Sequence, residues 1–338
     1  MIVLTDEKEI AAYASSRRLY LALGYFDGVH LGHQALFRRV LAMAEASKGQ
    51  PGVLLLEPHP QKVLHQSNGL RILTPLEEKI RLIQAYGDMD IFLLRFDAHF
   101  AALTPEAFVK ACLLDLFHIQ GAVCGYNYRF GSRGSGSSAT LTELAERYGF
   151  SCIVQDRVTA EGKPLSSTDI RCLIEAGRMV EAYKRLGHCC VFSGGVISGN
   201  RLGARIGFPT ANLELDPDII WPAYGVYGAF IRDETGRIHR GIVNVGVRPT
   251  VESETAAPSF EAHILRYEGD LYGKKLRVVL SRKIRDERLF SDIDALRAQI
   301  TADLESADTA LSEWERFIRE KEQSLESIFA CFIKDYPL

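Results

Sequence analysis

At 338 residues the chain is too long for one small core, so two domains are the natural expectation. Hydrophobic residues make up 47% and charged residues 25%, the balance of an ordinary globular protein in water. A net charge of −3 gives no electrostatic case for nucleic acid or an anionic membrane as the main partner, and no stretch approaches the roughly 18 apolar residues of a membrane span.

The start, Met1 to Glu9, has neither a basic leader region nor an apolar one. Seven cysteines, an odd number, lie scattered in mostly apolar runs, and Cys189 and Cys190 are adjacent. They read as reduced thiols, so a cytoplasmic location is expected.

The first strand in chain order is the apolar run Leu19-Tyr20-Leu21-Ala22-Leu23. It feeds Gly24-Tyr25-Phe26-Asp27-Gly28-Val29-His30-Leu31-Gly32-His33, and a helical pattern follows from Gln34. Two histidines three apart, bracketed by glycines at a strand-to-helix turn, stand where a helix N-terminus favours an anion. That suits nucleotidyl transfer, in which positioning and electrostatics outweigh covalent chemistry. A satisfied turn pair or a zinc site would also fit two histidines, but zinc needs further ligands that no CxxC or nearby carboxylate–histidine set supplies.

Val53 to Leu56 reads as a strand stopped by Glu57-Pro58-His59-Pro60, which on its own is equally a rigid terminator. A helix from Pro75 to Tyr86 has Thr74 as cap, and Ile91 to Phe96 is the next strand. Thr104-Pro105-Glu106 opens a helix to about Phe117. Ala122 to Cys124 is a strand leading into a glycine-rich loop, Gly125 to Ser138. A helix from about Ala139 to Tyr148 and the strand Ser151 to Val154 complete the pattern. Strands alternating with helices indicate βαβ units and a parallel sheet, whose ligands bind beyond the carboxyl ends of the strands. Every loop singled out follows a strand, so these loops are expected to converge on one crevice.

Near Gly187 the character changes. Val191 to Gly199, Val226 to Ile231, Gly241 to Val245, Phe260 to Leu265 and Leu276 to Leu280 are β-like runs separated by turn residues, which suggests a small antiparallel barrel. Helical period returns at Ser291 with an apolar stripe of Ile293, Leu296, Ile300 and Leu304. A further helix, about Thr309 to Lys334, carries Leu311, Trp314, Phe317, Leu325, Ile328 and Phe332. The barrel and the helix Ser291 to Leu304 are expected to close a core by themselves.

The segments Gly24 to His33, Glu57 to Pro60, Gly125 to Gly131 and Ser166-Ser167-Thr168-Asp169-Ile170-Arg171 together resemble an adenylyltransferase module. Gly207-Phe208-Pro209-Thr210-Ala211-Asn212-Leu213, Asn244 to Thr250, Phe260-Glu261-Ala262-His263 and Leu271-Tyr272-Gly273-Lys274 resemble a flavokinase barrel. Occurring in this order, they identify the chain as resembling the bacterial bifunctional riboflavin kinase/FAD synthetases over residues 10 to 305. The resemblance implies an α/β fold: a Rossmann-like nucleotidyltransferase domain with a parallel sheet at 1–184, and a small antiparallel β-barrel flavokinase domain with C-terminal helices at 185–338. It implies riboflavin, FMN and ATP as substrates, Mg²⁺ as the metal, and no nucleic-acid or membrane partner. The oligomeric state stays open, a monomer being compatible.

In the first module the resemblance makes His30 and His33 catalytic donors. It gives ATP to Gly24, Phe26, Asp27, Gly28, Asn127, Ser167, Thr168 and Arg171, and flavin to Glu57, Pro58 and His59. Without it, Ser166 to Thr168 is a plain helix cap. In the second module Glu261 is the base that accepts the riboflavin hydroxyl proton, and alternation puts it on one face with His263, opposite Phe260, Ala262 and Ile264. Gly199, Gly203, Arg205, Gly207 and Pro209 form a phosphate-covering loop, and Thr210 and Asn212 offer oxygen ligands to Mg²⁺. Tyr126 stands where many relatives carry an acidic residue, and Asp169 where many carry a basic or neutral one. A kinase with a degenerate first domain, or a regulatory binding module, are the competing readings; both residue sets are complete, which favours two activities.

Overall fold

An all-apolar strand such as Leu19–Leu23, buried at every position, needs cover on both faces, and a parallel sheet with helices on each side supplies it. The computed structural model describes residues 1–60, 63, 69, 71–160, 162–199, 202–248, 257–320 and 329. It contains a six-stranded sheet in the order Val3–Leu4, Asp90–Arg95, Gln50–Glu57, Leu19–Leu23, Gly121–Gly125 and Ser151–Gln155. All neighbours run parallel. From Leu19–Leu23 the chain winds first to one side and then, with Gly121–Gly125, to the other. Leu23 and Cys124 are register partners, so the winding reverses between these two strands. That reversal opens a crevice beyond their carboxyl ends.

The helix Leu31–Ala46 follows the central strand and buries Ala35, Phe37, Val40 and Ala44. The sequence predicts one helix from Thr104 to Phe117. Thr104 does cap Pro105–Ala107, accepting from the Ala107 amide, but Phe108–Leu116 then widens to a π-helix. The five-residue step, closed by the Phe117 amide on Cys112, keeps Phe108, Val109, Cys112 and Leu113 buried together. Val3–Leu4 and Glu7–Ala14 were not foreseen: two residues are too short for a readable alternation, and the helix has a weak apolar face.

The second architecture is a closed six-stranded barrel, in the order Val191–Ile197, Ala211–Leu215, Ala257–Ile264, Ile238–Arg248, Gly225–Arg232 and Lys275–Arg285. Closure removes unpaired edges. Phe192, Tyr227, Val243, Val245, Phe260 and Ala262 fill its core. In the intact chain that core is not made by the barrel alone. Leu73, Ile170, Leu173, Ile174, Met179 and Ala182, from outside the barrel, belong to the same core.

By compactness the chain divides into residues 1–70 with 79–166, and residues 71–78 with 167–337. The sequence set its boundary at 184/185, after the helices Ser167–Glu175 and Met179–Leu186 rather than before them. Arg71–Glu78 is fastened within the second unit. Ile72 bridges to Ile219, and Arg277 grips Glu78 with two hydrogen bonds of 2.8 and 2.6 Å.

The outer face of the barrel is covered by one continuous helix, Ile293–Arg319, not by the two expected. Leu311, Trp314 and Ile318 pack with Phe230 and Val279, and Ala307 with Val226 and Ile242. Ile293, assigned to the apolar stripe, is 54% exposed in the first turn. Leu325, Ile328 and Phe332 of the expected second helix, and Pro249 and Thr250 of the barrel motif, lie outside the described residues.

Candidate active sites

In the first unit the turn after Leu19–Leu23 is held in an unusual backbone. Phe26, Val29 and Gly28 all have positive φ, at 50°, 41° and 82°. A β-branched valine there is a true outlier, of the kind that persists when the surroundings over-determine it. The surroundings do so. Phe26 and Val29 are fully buried, the Val29 backbone amide closes the turn on the Phe26 carbonyl, and the Gln34 side-chain Nε2 donates to the Val29 carbonyl at 2.8 Å.

His30 caps the helix Leu31–Ala46: its Nδ1 accepts from the His33 amide at 3.3 Å. An accepting Nδ1 places the proton of the neutral ring on Nε2. The His33 ring stacks on His30 at 3.6 Å between centroids, and the Phe26 ring meets it edge-on. Gly32 leaves room for this, because a Cβ there would lie 3.0 Å from the His30 ring. Burial, reinforced by His30 and Lys79, pushes the His33 pKa well below the usual imidazole value. Its Nδ1 has no hydrogen-bond partner among the described residues.

Asp27 is buried beside the turn, and Lys79, 6% exposed, donates to the Tyr25 carbonyl at 3.3 Å. Glu57 ends the neighbouring strand, followed by a cis Glu57–Pro58 peptide, and buried His59 packs on the Tyr25 ring. Asn127 is exposed in the turn Gly125–Tyr128, beyond the strand paired with Leu19–Leu23. The Gly24–His33, Glu57–His59 and Asn127 candidates therefore follow three adjacent strands at one edge of the sheet, as the sequence led us to expect.

Sequence reasoning missed the cavity beside them, about 230 Å³ in volume. Gly24, Tyr25 and Pro60 line it, together with a run of touching rings. Phe96 meets Phe100, Phe100 meets Phe108, Phe108 meets Phe130, and Phe130 stacks on Tyr128, all with centroids 5.5 to 5.9 Å apart. Of the Glu57–Pro60 stretch it is Pro60, not Glu57, Pro58 or His59, that reaches this wall. The only signal in the sequence was the aromatic content of Tyr126 to Phe130. Phe96, Phe100 and Phe108 are brought in by the fold.

Ser167, Thr168 and Arg171 open the helix Ser167–Glu175 and fold with the second unit. Arg171 Nε donates to the Arg71 carbonyl at 2.6 Å.

In the second unit the register places Asn212 and Asn244 directly across from Glu261 on its two sides. Cross-strand partners share a face. Phe260, Ala262 and Ile264 point into the core, so Glu261 lies on the outer face with both asparagines. The alternation holds, and Ala262 and Ile264 line the cavity at the rim together with Asn212, the cross-strand neighbour of Glu261.

That cavity, about 280 Å³, also takes in Gly199, Pro209, Thr210 and Asn212. A Cβ at Gly199 would come within 2.1 Å of the Asn212 amide nitrogen, so only glycine lets the backbone lie against that side chain. Gly203 and Gly207 turn the loop back, and the Phe208 amide donates to the Gly203 carbonyl. Arg205 is exposed. His263 donates from Nδ1 to the Pro209 carbonyl at 2.8 Å and packs against Phe208, which fixes the chain just before Thr210.

Residues 13–169 match the family described as FAD synthetase and residues 186–311 the family described as riboflavin kinase. The bifunctional riboflavin kinase/FMN adenylyltransferase of Listeria monocytogenes is 35% identical over 84% of this chain and 89% of its own length. That of Bacillus subtilis is 34% identical over 85% and 90%. A crystal structure from Streptococcus pneumoniae titled as a macrolide-efflux protein superposes with a TM-score of 0.81 at 30% identity, covering 91% of this chain and 99% of that one. Among the described residues no helix is long and apolar enough to cross a membrane.

Proposed function

The chain belongs to the bifunctional riboflavin kinase/FMN adenylyltransferase family, and from that premise we propose that FMN adenylylation resides in residues 1–184 and riboflavin phosphorylation in residues 185–338. The kinase module is supported by the core that its unit draws from residues 71–78 and 167–184. The two reactions are ATP-dependent phosphorylation of riboflavin to FMN, and adenylylation of FMN to FAD with release of pyrophosphate. Paired site sets in both units favour this over a kinase with a degenerate partner domain.

In adenylylation, an FMN phosphate oxygen attacks the ATP α-phosphorus and the bond from that phosphorus to the α–β bridging oxygen breaks, its electron pair leaving on pyrophosphate. The phosphate is already an anionic nucleophile near neutral pH, so no base is required. The chain supplies donors to the developing charge: Nε2–H of His30 and the neutral ring of His33, at the positive end of the helix Leu31–Ala46. Gly24, Phe26, Asp27, Gly28 and Asn127 hold ATP. The ring-lined cavity, with Pro60 in its wall, takes the flat flavin by stacking, and Glu57, Pro58 and His59 from the same stretch serve as further flavin contacts.

In the kinase, Glu261 accepts the riboflavin hydroxyl proton as the oxygen attacks the ATP γ-phosphorus. The loop with Gly199, Gly203, Arg205, Gly207 and Pro209 covers the phosphates. The uncharged oxygens of Thr210 and Asn212, side by side at the cavity, fit Mg²⁺, which prefers oxygen ligands and takes its remaining ones from water and phosphate. Mg²⁺ would neutralise phosphate charge there. A cytoplasmic location accords with the use of ATP and with an odd number of cysteines scattered through the sequence.

One observation carries the reading. A single loop lines the ring-walled cavity at Gly24–Tyr25 and at its other end presents two stacked imidazoles on a helix N-terminus. The test supplies riboflavin, ATP and Mg²⁺ and separates FMN from FAD. His30→Ala should cut FAD formation by about 10²–10³ while FMN accumulates at the parent rate. A parallel fall in FMN would overturn the division into two sites.

A further inference from the structure

The two histidines leave a gap in the electrostatics of adenylyl transfer. His33 is half-buried, and its lowered pKa favours the neutral ring, so it brings a donor but no charge. The accepting Nδ1 of His30 likewise describes a neutral ring. Two phosphate-bearing substrates must nevertheless meet here, and Asp27 adds a buried carboxylate.

The buried cation in this loop cluster is Lys79. Its side chain is 6% exposed, and among the described residues one of its three N–H donors is used, on the Tyr25 carbonyl at 3.3 Å. Burial depresses its pKa, while Asp27 and Glu57 oppose that shift. Its charge in turn is felt by His33. A buried ammonium normally has its donors satisfied and its charge matched. Here the charge faces the carboxylates of Asp27 and Glu57, while among the described residues one donor of three is used, in the middle of the residues assigned to phosphate chemistry.

We propose that Lys79 is a catalytic residue of FMN adenylylation, its ammonium binding the phosphate oxygens that meet at His30 and His33. This rests on the site reading above. The oxygen–phosphorus bond to FMN forms, the α–β bridging bond breaks, and its electron pair leaves on pyrophosphate. Lys79 gains and loses no proton. Its fixed positive charge acts most strongly where negative charge accumulates in the transition state, in a site from which water is largely excluded. The carbonyl of Tyr25 keeps the long side chain from swinging away before substrates arrive.

The experiment measures FAD formation, FMN formation and thermal unfolding of the full chain as Lys79→Gln, Lys79→Arg and His30→Ala. Lys79→Gln should lower kcat for adenylylation by about 10²–10³, more than it raises the KM for ATP, with flavokinase turnover unchanged. Lys79→Arg, which keeps the charge, should retain at least about tenfold more activity than Lys79→Gln. A Lys79→Gln protein within about threefold of the parent overturns the proposal, as does a folded Lys79→Arg no better than Lys79→Gln. If Lys79→Gln unfolds, Lys79→Met asks the same question with a side chain that needs no hydrogen bond. A chain that folds only with a cation at this position assigns Lys79 to structure and also overturns the proposal. His30→Ala separates the failures: if it is crippled while Lys79→Gln is not, the site stands without Lys79; if neither is affected, the site reading itself falls.

Discussion

The two units assemble their candidate sites by opposite routes. In the first, the central group of residues is contiguous: Gly24 to His33 is one turn, forced into shape by buried Phe26 and Val29 and capped by His30. In the second, Asn212, Asn244 and Glu261 come from three strands and become neighbours only through barrel register. A contiguous turn depends on its local backbone. A registered row depends on the whole barrel closing in one alignment, since a slip by one residue would turn Glu261 into the core.

Breaking the comparison at its most sensitive point means altering the row without disturbing register. Glu261→Gln keeps shape and hydrogen bonding but removes the base, so flavokinase turnover should drop by roughly 10²–10⁴ with ATP affinity little changed. Near-normal turnover measured by FMN production would return Glu261 to the role of a solvated outer-face residue.

A smaller effect is expected beside it. Asn212→Ala should raise the Mg²⁺ needed for half-maximal kinase activity by about tenfold, and Thr210→Ala should do likewise, because each removes an oxygen from the same cavity. Superimposable Mg²⁺ titrations at fixed ATP would mean that both residues serve the turn alone.

The smallest effect sharpens the contrast from the side of the contiguous turn. His33 has its pKa depressed by burial, so below the ordinary value of 6.5 the unfolded chain binds a proton that the folded one refuses. Stability from this group is complete above about pH 6.5 and declines as pH falls through the range below it. The thermal midpoint of the first unit should fall between pH 7 and 5, and His33→Asn should flatten that slope. An unchanged slope in His33→Asn would place the acid sensitivity elsewhere.

How much of this was legible follows the same division. The turn Gly24–His33, the parallel sheet and the change to a barrel near Gly187 were readable, because each is local in sequence or recurs with a clear period. The ring-lined cavity was not, since Phe96, Phe100, Phe108 and Phe130 lie on four different segments and meet only through tertiary packing. Lys79 was hidden for another reason. In Glu77-Glu78-Lys79 it looks like the charged face of a surface helix, and only the fold buries it. The face bearing Glu261 was inferred correctly from alternation, but which side of the barrel that face became depended on where Phe260 and Ala262 packed.

The clasp of residues 71–78 has a consequence for how such a protein is made and divided. Leu73 and Glu78 leave the ribosome long before Ile219 and Arg277, the residues whose neighbourhood they complete. The nascent second unit must therefore gather a piece synthesised before most of the first, a long-range closure that slows folding. For the same reason a single cut between the two family matches separates Leu73 and Glu78 from the core and the arginine they meet in the intact chain.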